Sequence, residues 1–147
     1  MNTPISALLD RKGPTVHAVR PDISVSSAVA EMNRHRIGCV VVADAGELVG
    51  IFTERDVLKR VVGAGVDPRS ALVADVMTRE LVTVAPEATV SEVMEIFTEK
   101  RCRHLPVIVD GRLRGLISIG DVSRWMVDEH RAECEHLKNY IAGGFPA

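Results

Sequence analysis

Residues 48–56 read Leu-Val-Gly-Ile-Phe-Thr-Glu-Arg-Asp, and residues 113–121 read Leu-Arg-Gly-Leu-Ile-Ser-Ile-Gly-Asp. A shift of 65 positions places the first stretch on the second and aligns residues 16–57 with residues 81–122 without a gap. Eleven of these 42 aligned pairs are identical, which is more than composition alone explains. The chain therefore consists of two copies of one unit. Each copy is too short to bury its own apolar face, so the two copies should pack together.

Both copies have the same predicted order of elements: a short strand, a helix, two apolar strands joined by a glycine-containing turn, and a second helix. The strands are predicted at residues 15–19, 39–43 and 48–52 in the first copy, and at 81–84, 105–109 and 113–117 in the second. Ser24 and Thr89 are the predicted N-caps of the first helices, and Thr89 with Glu92 fits a capping box. The second helices begin near Glu54 and Ile119.

The connections divide the chain into a first motif at residues 1–66, a second motif at 67–127, and a helical extension with a tail at 128–147. Asp67 and Pro68 fit the start of a short helix that runs to Met77, and residues 5–9 fit its counterpart in the first copy. The last helix is predicted from about residue 121 to residue 141, with two glycines after it as a stop.

Composition excludes several classes of function. The net charge of −2 and the 3% of aromatic residues argue against nucleic-acid binding, which needs a basic surface or stacking platforms. The longest apolar run, residues 39–43, is far shorter than a membrane span, and no secretory signal is visible. The three cysteines form no Cys-x-x-Cys pair. We therefore expect a soluble cytoplasmic protein with reduced thiols, without a nucleic-acid or membrane partner.

The repeated stretches, together with Arg-His-Leu-Pro-Val at residues 103–107 and Asp-Val-Met-Thr at 75–78, resemble the CBS domain in the tandem arrangement called a Bateman module. The ending through residue 143 is similar to small stand-alone bacterial proteins that consist of little besides this pair. The resemblance implies an α/β (α+β) fold of two tandem β-α-β-β-α repeats with pseudo-twofold symmetry, packed through their sheets, plus an extended C-terminal helix. It also implies a homodimer and adenosyl ligands, namely AMP, ADP, ATP, NAD(H) or S-adenosylmethionine, in two clefts between the repeats.

Each copy carries Gly-x-x-[Thr/Ser]-x-x-Asp where a strand meets a helix. The helix N-terminus favours an anion, and the hydroxyl of Thr53 or Ser118 has the chemistry to bind a phosphate or ribose oxygen. The carboxylate of Asp56 or Asp121 has the chemistry to accept hydrogen bonds from a ribose diol. The same pattern is also a capping box with no ligand role. Capping and binding are compatible, and both interpretations stay open here.

The resemblance places further residues at the clefts. Arg103 and His104, which precede the strand that contains Pro106, border the adenine pocket and reach phosphates. Arginine suits a phosphate because its planar guanidinium donates two parallel hydrogen bonds. The first copy has Gly38 and Cys39 at these positions, so its cleft either lacks a phosphate clamp or borrows Arg55, Lys59 and Arg60. The first strands place Val16, His17, Val82 and Thr83 against adenine, although His17 also fits an exposed strand residue.

Two other pairs of residues contain side-chain types found in metal or nucleophile sites. His130 and Cys134 share a helical face, but two ligands without a third are weak grounds for zinc. Cys102 and His104 lack a third orienting group that would make a nucleophile. The sequence therefore predicts no catalytic residue, no catalytic cofactor and no metal site.

The leading functional hypothesis is a non-catalytic sensor module that binds an adenine nucleotide and signals to an unknown downstream partner. One alternative is a structural interaction module with empty or degenerate clefts, and another is an enzyme such as a nucleotide hydrolase. The last helix carries apolar residues beyond the repeat, at Leu137 and Ile141, which favours packing of the helix on a second copy in a homodimer.

Overall fold

The computed structural model describes residues 2–144, with side chains described through residue 139. The helices are α1 (Ile5–Lys12), α2 (Val25–His35), α3 (Glu54–Asp56, continued by a π-helical segment Val57–Val62), α4 (Val73–Val76), α5 (Val90–Lys100) and α6 (Ile119–Gly144). The strands are β1 (Ala18–Val19), β2 (Cys39–Asp44), β3 (Glu47–Thr53), β4 (His104–Val109) and β5 (Arg112–Ser118). The predicted α/β fold with an extended last helix is confirmed, and the tail at residues 145–147 lies outside the described residues.

Equivalent residues shape the two copies. The hydroxyls of Ser24 and Thr89 accept hydrogen bonds from the N–H groups three residues later and cap α2 and α5, as predicted. Arg36 and Arg101 close these helices in the left-handed conformation, with φ near +54° and +53°. Ala45-Gly46 and Asp110-Gly111 form two-residue hairpin turns in which both φ angles are positive. The repeat in the sequence is thus a repeat in the backbone.

The sheets are small, and the first strand of each copy is shorter than predicted. β1 pairs in parallel with β2, which pairs antiparallel with β3, whereas β4 and β5 form a hairpin that Val84 joins only by an isolated parallel bridge to Val107. In the first copy, Val41 donates its N–H to His17 O at 3.0 Å. The equivalent residue in the second copy is Pro106, which has no N–H to donate, and this shortens the pairing there.

The short helix that precedes each copy packs into the core of the other copy. Ile5, Leu8 and Leu9 of α1 pack into the core of the second copy with residues such as Val90 and Val93. Val73, Val76 and Met77, which follow the linker, pack into the core of the first copy. A third cluster joins the sheets of the two copies, and its buried members are Cys39, Val41 and Ile51, with Val16, Leu48, Leu81, Leu113 and Leu116 packed against them. The two copies therefore form one interlocked body.

The short helix predicted from Asp67 to Met77 is wrong in extent, because α4 covers only Val73–Val76. Residues before it are used differently: Pro68 O and Ala71 O accept from the N–H groups of Ser26 and Val25 at 2.8 and 2.9 Å. Carbonyl groups of the linker thus accept hydrogen bonds from the free N–H groups at the start of α2. The linker is not helical where it does so.

Candidate functional site

The repeated Thr/Ser-x-x-Asp motif folds in the same way in both copies. The Asp56 carboxylate accepts from Thr53 N–H at 3.0 Å, while the Thr53 hydroxyl accepts from Asp56 N–H at 3.2 Å. Ser118 and Asp121 repeat the pair at 2.9 and 3.1 Å. Both aspartates are buried, with 6% and 8% of their surface exposed. The capping interpretation is therefore correct in both copies, and any ligand must use what capping leaves available.

A cavity of about 1140 Å³ opens beside Thr53 and Asp56; we call it the first cleft. Its wall combines the loop after α2, the start of α3, the chain at residues 78–82 and the loop after α5, so both copies contribute. Seven of the predicted site residues line it, namely Gly38, Thr53, Arg55, Asp56, Val82, Arg103 and His104. The position related to it by the repeat, around Ser118 and Asp121, is the second cleft.

The structure places Arg103 and His104 differently from the sequence argument, which assigned them to the cleft of their own copy. Both residues line the first cleft, opposite Gly38 of the other copy. The loops after α2 and α5 both line this cavity, and the Arg55 guanidinium of α3 donates to Arg101 O at 3.1 Å, which joins the first copy to the end of α5. The first cleft therefore does not lack an arginine. Arg103 and Arg55 line it, while Lys59 and Arg60 are not among its lining residues.

Two titratable groups lie at the junction of the copies. Burial and the nearby Lys12 ammonium lower the pKa of His104 below its usual value of 6.5, so this ring is neutral at pH 7. Burial raises the pKa of the equivalent Cys39 to about 12, which keeps the sulfur as a thiol. Of the Arg103–His104 pair, only the arginine therefore offers a positive charge to a phosphate.

The other predicted site residues lie elsewhere. Cys39 is buried in the cluster between the sheets, with Val16 packed against that cluster. Pro106 is buried in β4, and Thr83 is exposed and is not a lining residue of the cavity. The His17 ring stacks on His35 with ring centroids 3.9 Å apart. Ser118 and Asp121 lie at the second cleft, away from the large cavity.

Sequence reasoning missed three residues that contact the repeated aspartates, one of which is Arg124, whose Nη2 donates to Asp121 Oδ1 at 2.7 Å. Thr78 donates from its hydroxyl to Asp56 Oδ1 at 3.0 Å. Lys12 donates from Nζ to Asp121 Oδ2 at 2.8 Å. The 65-residue shift could have drawn attention to Lys12 and Thr78. It aligns Lys12 with Met77 and Gly13 with Thr78, so the two copies carry different residues at these positions.

The two remaining candidate pairs lie on α6 and where α5 leads into β4. Cys134 Sγ lies 3.7 Å from His130 Nε2 on α6, and within residues 2–139 no group of three or more potential metal ligands comes together. Burial raises the pKa of Cys102, which disfavours the thiolate that a nucleophile needs. Among the described helices, none combines the length and the apolar character needed to cross a membrane.

Comparison with known proteins gives a consistent result. The family model described as "CBS domain" matches residues 11–63 and 73–128. CBS domain-containing protein CBSX3, mitochondrial, from Arabidopsis thaliana is 41% identical over 98% of this chain and 74% of its own. The crystal structure of the CBS-domain containing protein ATU1752 from Agrobacterium tumefaciens is 46% identical, with a TM-score of 0.80 over 84% of this chain and 99% of that one. The CBS domain pair of protein MJ0100, in complex with 5′-methylthioadenosine and S-adenosyl-L-methionine, is 24% identical, with a TM-score of 0.74 over 84% and 99% of the two chains.

Proposed function

This chain belongs to the CBS-domain family as a tandem pair, a regulatory module, and on that premise we propose that it binds an adenine nucleotide without catalysis. The ligand is AMP, ADP, ATP or NAD(H), and the site is the first cleft. One observation carries the proposal: a single cavity of about 1140 Å³ joins apolar walls, a capped helix N-terminus and a basic rim. These are the three surfaces that adenine, ribose and phosphate require.

The parts of the ligand are assigned by chemistry. Adenine fits against Ile37 and Val82, which line the cavity from opposite copies. The ribose hydroxyls fit at Asp56, because the only cation paired with this carboxylate among the described residues is Arg60 at 3.6 Å, on a side chain that is 52% exposed. The phosphates fit at Arg103. MJ0100 supports only the point that this fold holds adenosyl compounds, since the identity of 24% shows the fold alone.

The charge of the cavity wall favours an anion. Five lining residues are basic and three are acidic, an excess of two positive charges on a chain whose net charge is −2. The basic residues are Arg36, Arg55, Lys100, Arg101 and Arg103, and the acidic residues are Glu54, Asp56 and Glu80. The positive potential is therefore local to the cleft, where phosphate groups would benefit from it.

A structural interaction module is the second candidate, and one observation favours it. The Asp56 carboxylate already accepts hydrogen bonds from Thr53 N–H, the Thr53 hydroxyl and the Thr78 hydroxyl. A carboxylate has about four acceptor sites, so the motif is nearly satisfied without a ligand. This candidate predicts a folded protein that responds to no nucleotide.

The test is thermal unfolding of the protein with AMP, ADP, ATP, NAD, NADH and S-adenosylmethionine. A ligand at a hundredfold excess over its Kd stabilises the folded state by about 2.7 kcal/mol, which raises the Tm. Arg103→Ala should weaken ATP binding about tenfold or more while adenosine binding stays the same, and Arg112→Ala, an exposed arginine of β5 outside the cavity lining, is the matched control. No shift with any ligand would favour the interaction module. Turnover of ATP or NAD would show an enzyme.

A homodimer is part of the same proposal. Val127 and Leu137 of α6 are 51% and 58% exposed, and with His130 and Cys134 they follow the alternating three- and four-residue spacing of a coiled-coil seam. Glu133 and Lys138 flank this seam at positions that attract each other between two parallel copies. Sedimentation should show a dimer, and a stable dimer after truncation beyond Val127 would exclude a dominant role for this helix. The downstream partner and the cytoplasmic location stay predictions.

A further inference from the structure

The two clefts differ in the groups that contact their equivalent aspartates, Asp56 and Asp121. In the first cleft, Asp56 accepts from the neutral hydroxyl of Thr78, and the nearest paired cation, Arg60, is 3.6 Å away. In the second cleft, Asp121 accepts from Lys12 Nζ at 2.8 Å on one oxygen and from Arg124 Nη2 at 2.7 Å on the other. The chain itself thus supplies two close cations to Asp121.

The backbone explains why Lys12 reaches this carboxylate. Lys12 is the last residue of α1, and Gly13 closes the helix at φ +94° with its N–H bonded to Leu9 O. Its counterpart in the repeat, Met77, lies after α4 in extended conformation and is buried in the core of the first copy. Lys12 Nζ also donates to Leu116 O at 2.8 Å. The ammonium is therefore held in place by two acceptors from the second copy.

A second, independent contact lies at the same cleft. Val82 and Lys100 line the first cleft, and a shift of 65 residues relates them to His17 and His35. These two rings occupy the positions that the repeat relates to the wall of the first cleft, and they stack on each other with centroids 3.9 Å apart and planes inclined by 24°. The surface that remains open for adenine between Val82 and Lys100 is here bridged by two imidazoles.

We propose that Lys12 and the His17–His35 stack exclude a nucleoside from the second cleft, so that each chain binds one nucleotide, in the first cleft; this inference rests on the proposed function. A ribose diol at Asp121 would have to displace the Lys12 ammonium, which replaces an ion pair at 2.8 Å with hydrogen bonds from uncharged hydroxyls. Lys12 is thus a specificity-determining residue: it sets how many of the two related clefts accept a ligand.

The test is the number of ligands bound per chain, measured by calorimetric titration and equilibrium dialysis with AMP and ATP as probes. Wild-type protein should bind one nucleotide per chain, and Asp56→Asn should lose it while Asp121→Asn keeps it. The double variant Lys12→Met with His17→Val gives the second cleft the residues found at the equivalent positions of the first cleft, Met77 and Val82, and it should bind two. Lys59→Met, which removes an exposed lysine that lines neither cavity, is the control and should bind one.

Two results would overturn the inference and leave the proposed function standing. The first is that wild-type protein binds two nucleotides per chain, one of them lost in Asp121→Asn. Alternatively, the double variant could unfold cooperatively, as the wild type does, and still bind only one. If no variant binds a nucleotide, the proposed function fails and this inference fails with it. Should the double variant not fold, the comparison of Asp56→Asn with Asp121→Asn decides the matter alone.

Discussion

The Lys12 ammonium lies 2.8 Å from the Asp121 carboxylate and ties the N-terminal helix to the last one. Asp121 is 7% exposed at its side chain and Lys12 is 34% exposed, so solvent screens this pair only in part. Arg11 and Asp128, at 2.9 Å, form a second and more exposed link between the same two helices. The first helix is therefore fixed to the second copy by its charges as well as by its apolar face.

This pair gives the protein a defined dependence on pH. Burial raises the pKa of Asp121, but hydrogen bonds from Lys12 and Ser118 outweigh burial and hold the pKa below its ordinary 3.8. A depressed pKa contributes stability that is present above the unfolded value and is lost as pH falls through the folded one. Lys12→Met should lower the free energy of unfolding by about 1–2 kcal/mol at neutral pH. In denaturant titrations this difference should shrink as the pH falls below about 4; a constant difference down to pH 2.5 would contradict the account.

Gly50 should not tolerate a side chain. A Cβ at this position would lie 2.8 Å from Thr78 O and from Met77 Sδ, and the Thr78 carbonyl is backbone that pairs with Ile51. Gly50→Ala should destabilise the protein by about 1–3 kcal/mol, measured by chemical denaturation. Gly120→Ala is the control, because its Cβ would meet only ordinary contacts at 3.6 Å or more. Equal stability of the two variants would show that the linker does not pack closely on β3.

The exchange of helices between cores predicts a strong effect from the N-terminus. Ile5 is fully buried among residues of the second copy, so Ile5→Ala should cost about 2–5 kcal/mol. Asp10→Ala on the same helix removes only an exposed pair with Arg114 at 3.3 Å and should cost less than about 1 kcal/mol. Denaturation of both variants checks this. A mild effect at Ile5 would mean that α1 is not part of the second core.

The three cysteines should differ in reactivity. Burial raises the pKa of Cys39 to about 12 and also raises the pKa of Cys102, which is less deeply buried, and the thiolate is the reactive form. A thiol reagent at neutral pH should therefore label Cys134 and Cys102 in the native protein and reach Cys39 only after denaturation. Mass spectrometry of labelled peptides identifies the sites, and early labelling of Cys39 would contradict its position between the sheets.

Much of the fold could be predicted because the repeat and the periodicity of apolar residues are local signals. The N-caps at Ser24 and Thr89 and the hairpin turns at Gly46 and Gly111 act within a few residues and were found where expected. The short pairing of the second copy's first strand was missed, although Pro106 is visible in the sequence. Its missing N–H matters only once its partner strand is known.

The site was harder to predict because its parts come from different copies. Thr53, Asp56 and Arg103 were all predicted from the sequence as site residues, but the sequence could not show that Arg103 of the second copy lines the same cavity as Thr53 and Asp56 of the first. Lys12 was missed for a similar reason: 109 residues separate it from Asp121, and only the packing of α1 on the second copy brings them together.

The most direct test of the account is a crystal structure of this protein grown with ATP. We predict one ATP per chain in the first cleft, with adenine against Ile37 and Val82, the ribose at Asp56 and the phosphates at Arg103. Lys12 should remain on Asp121 in that structure. ATP bound at Asp121 instead, or an empty first cleft in crystals grown with saturating ATP, would contradict the account.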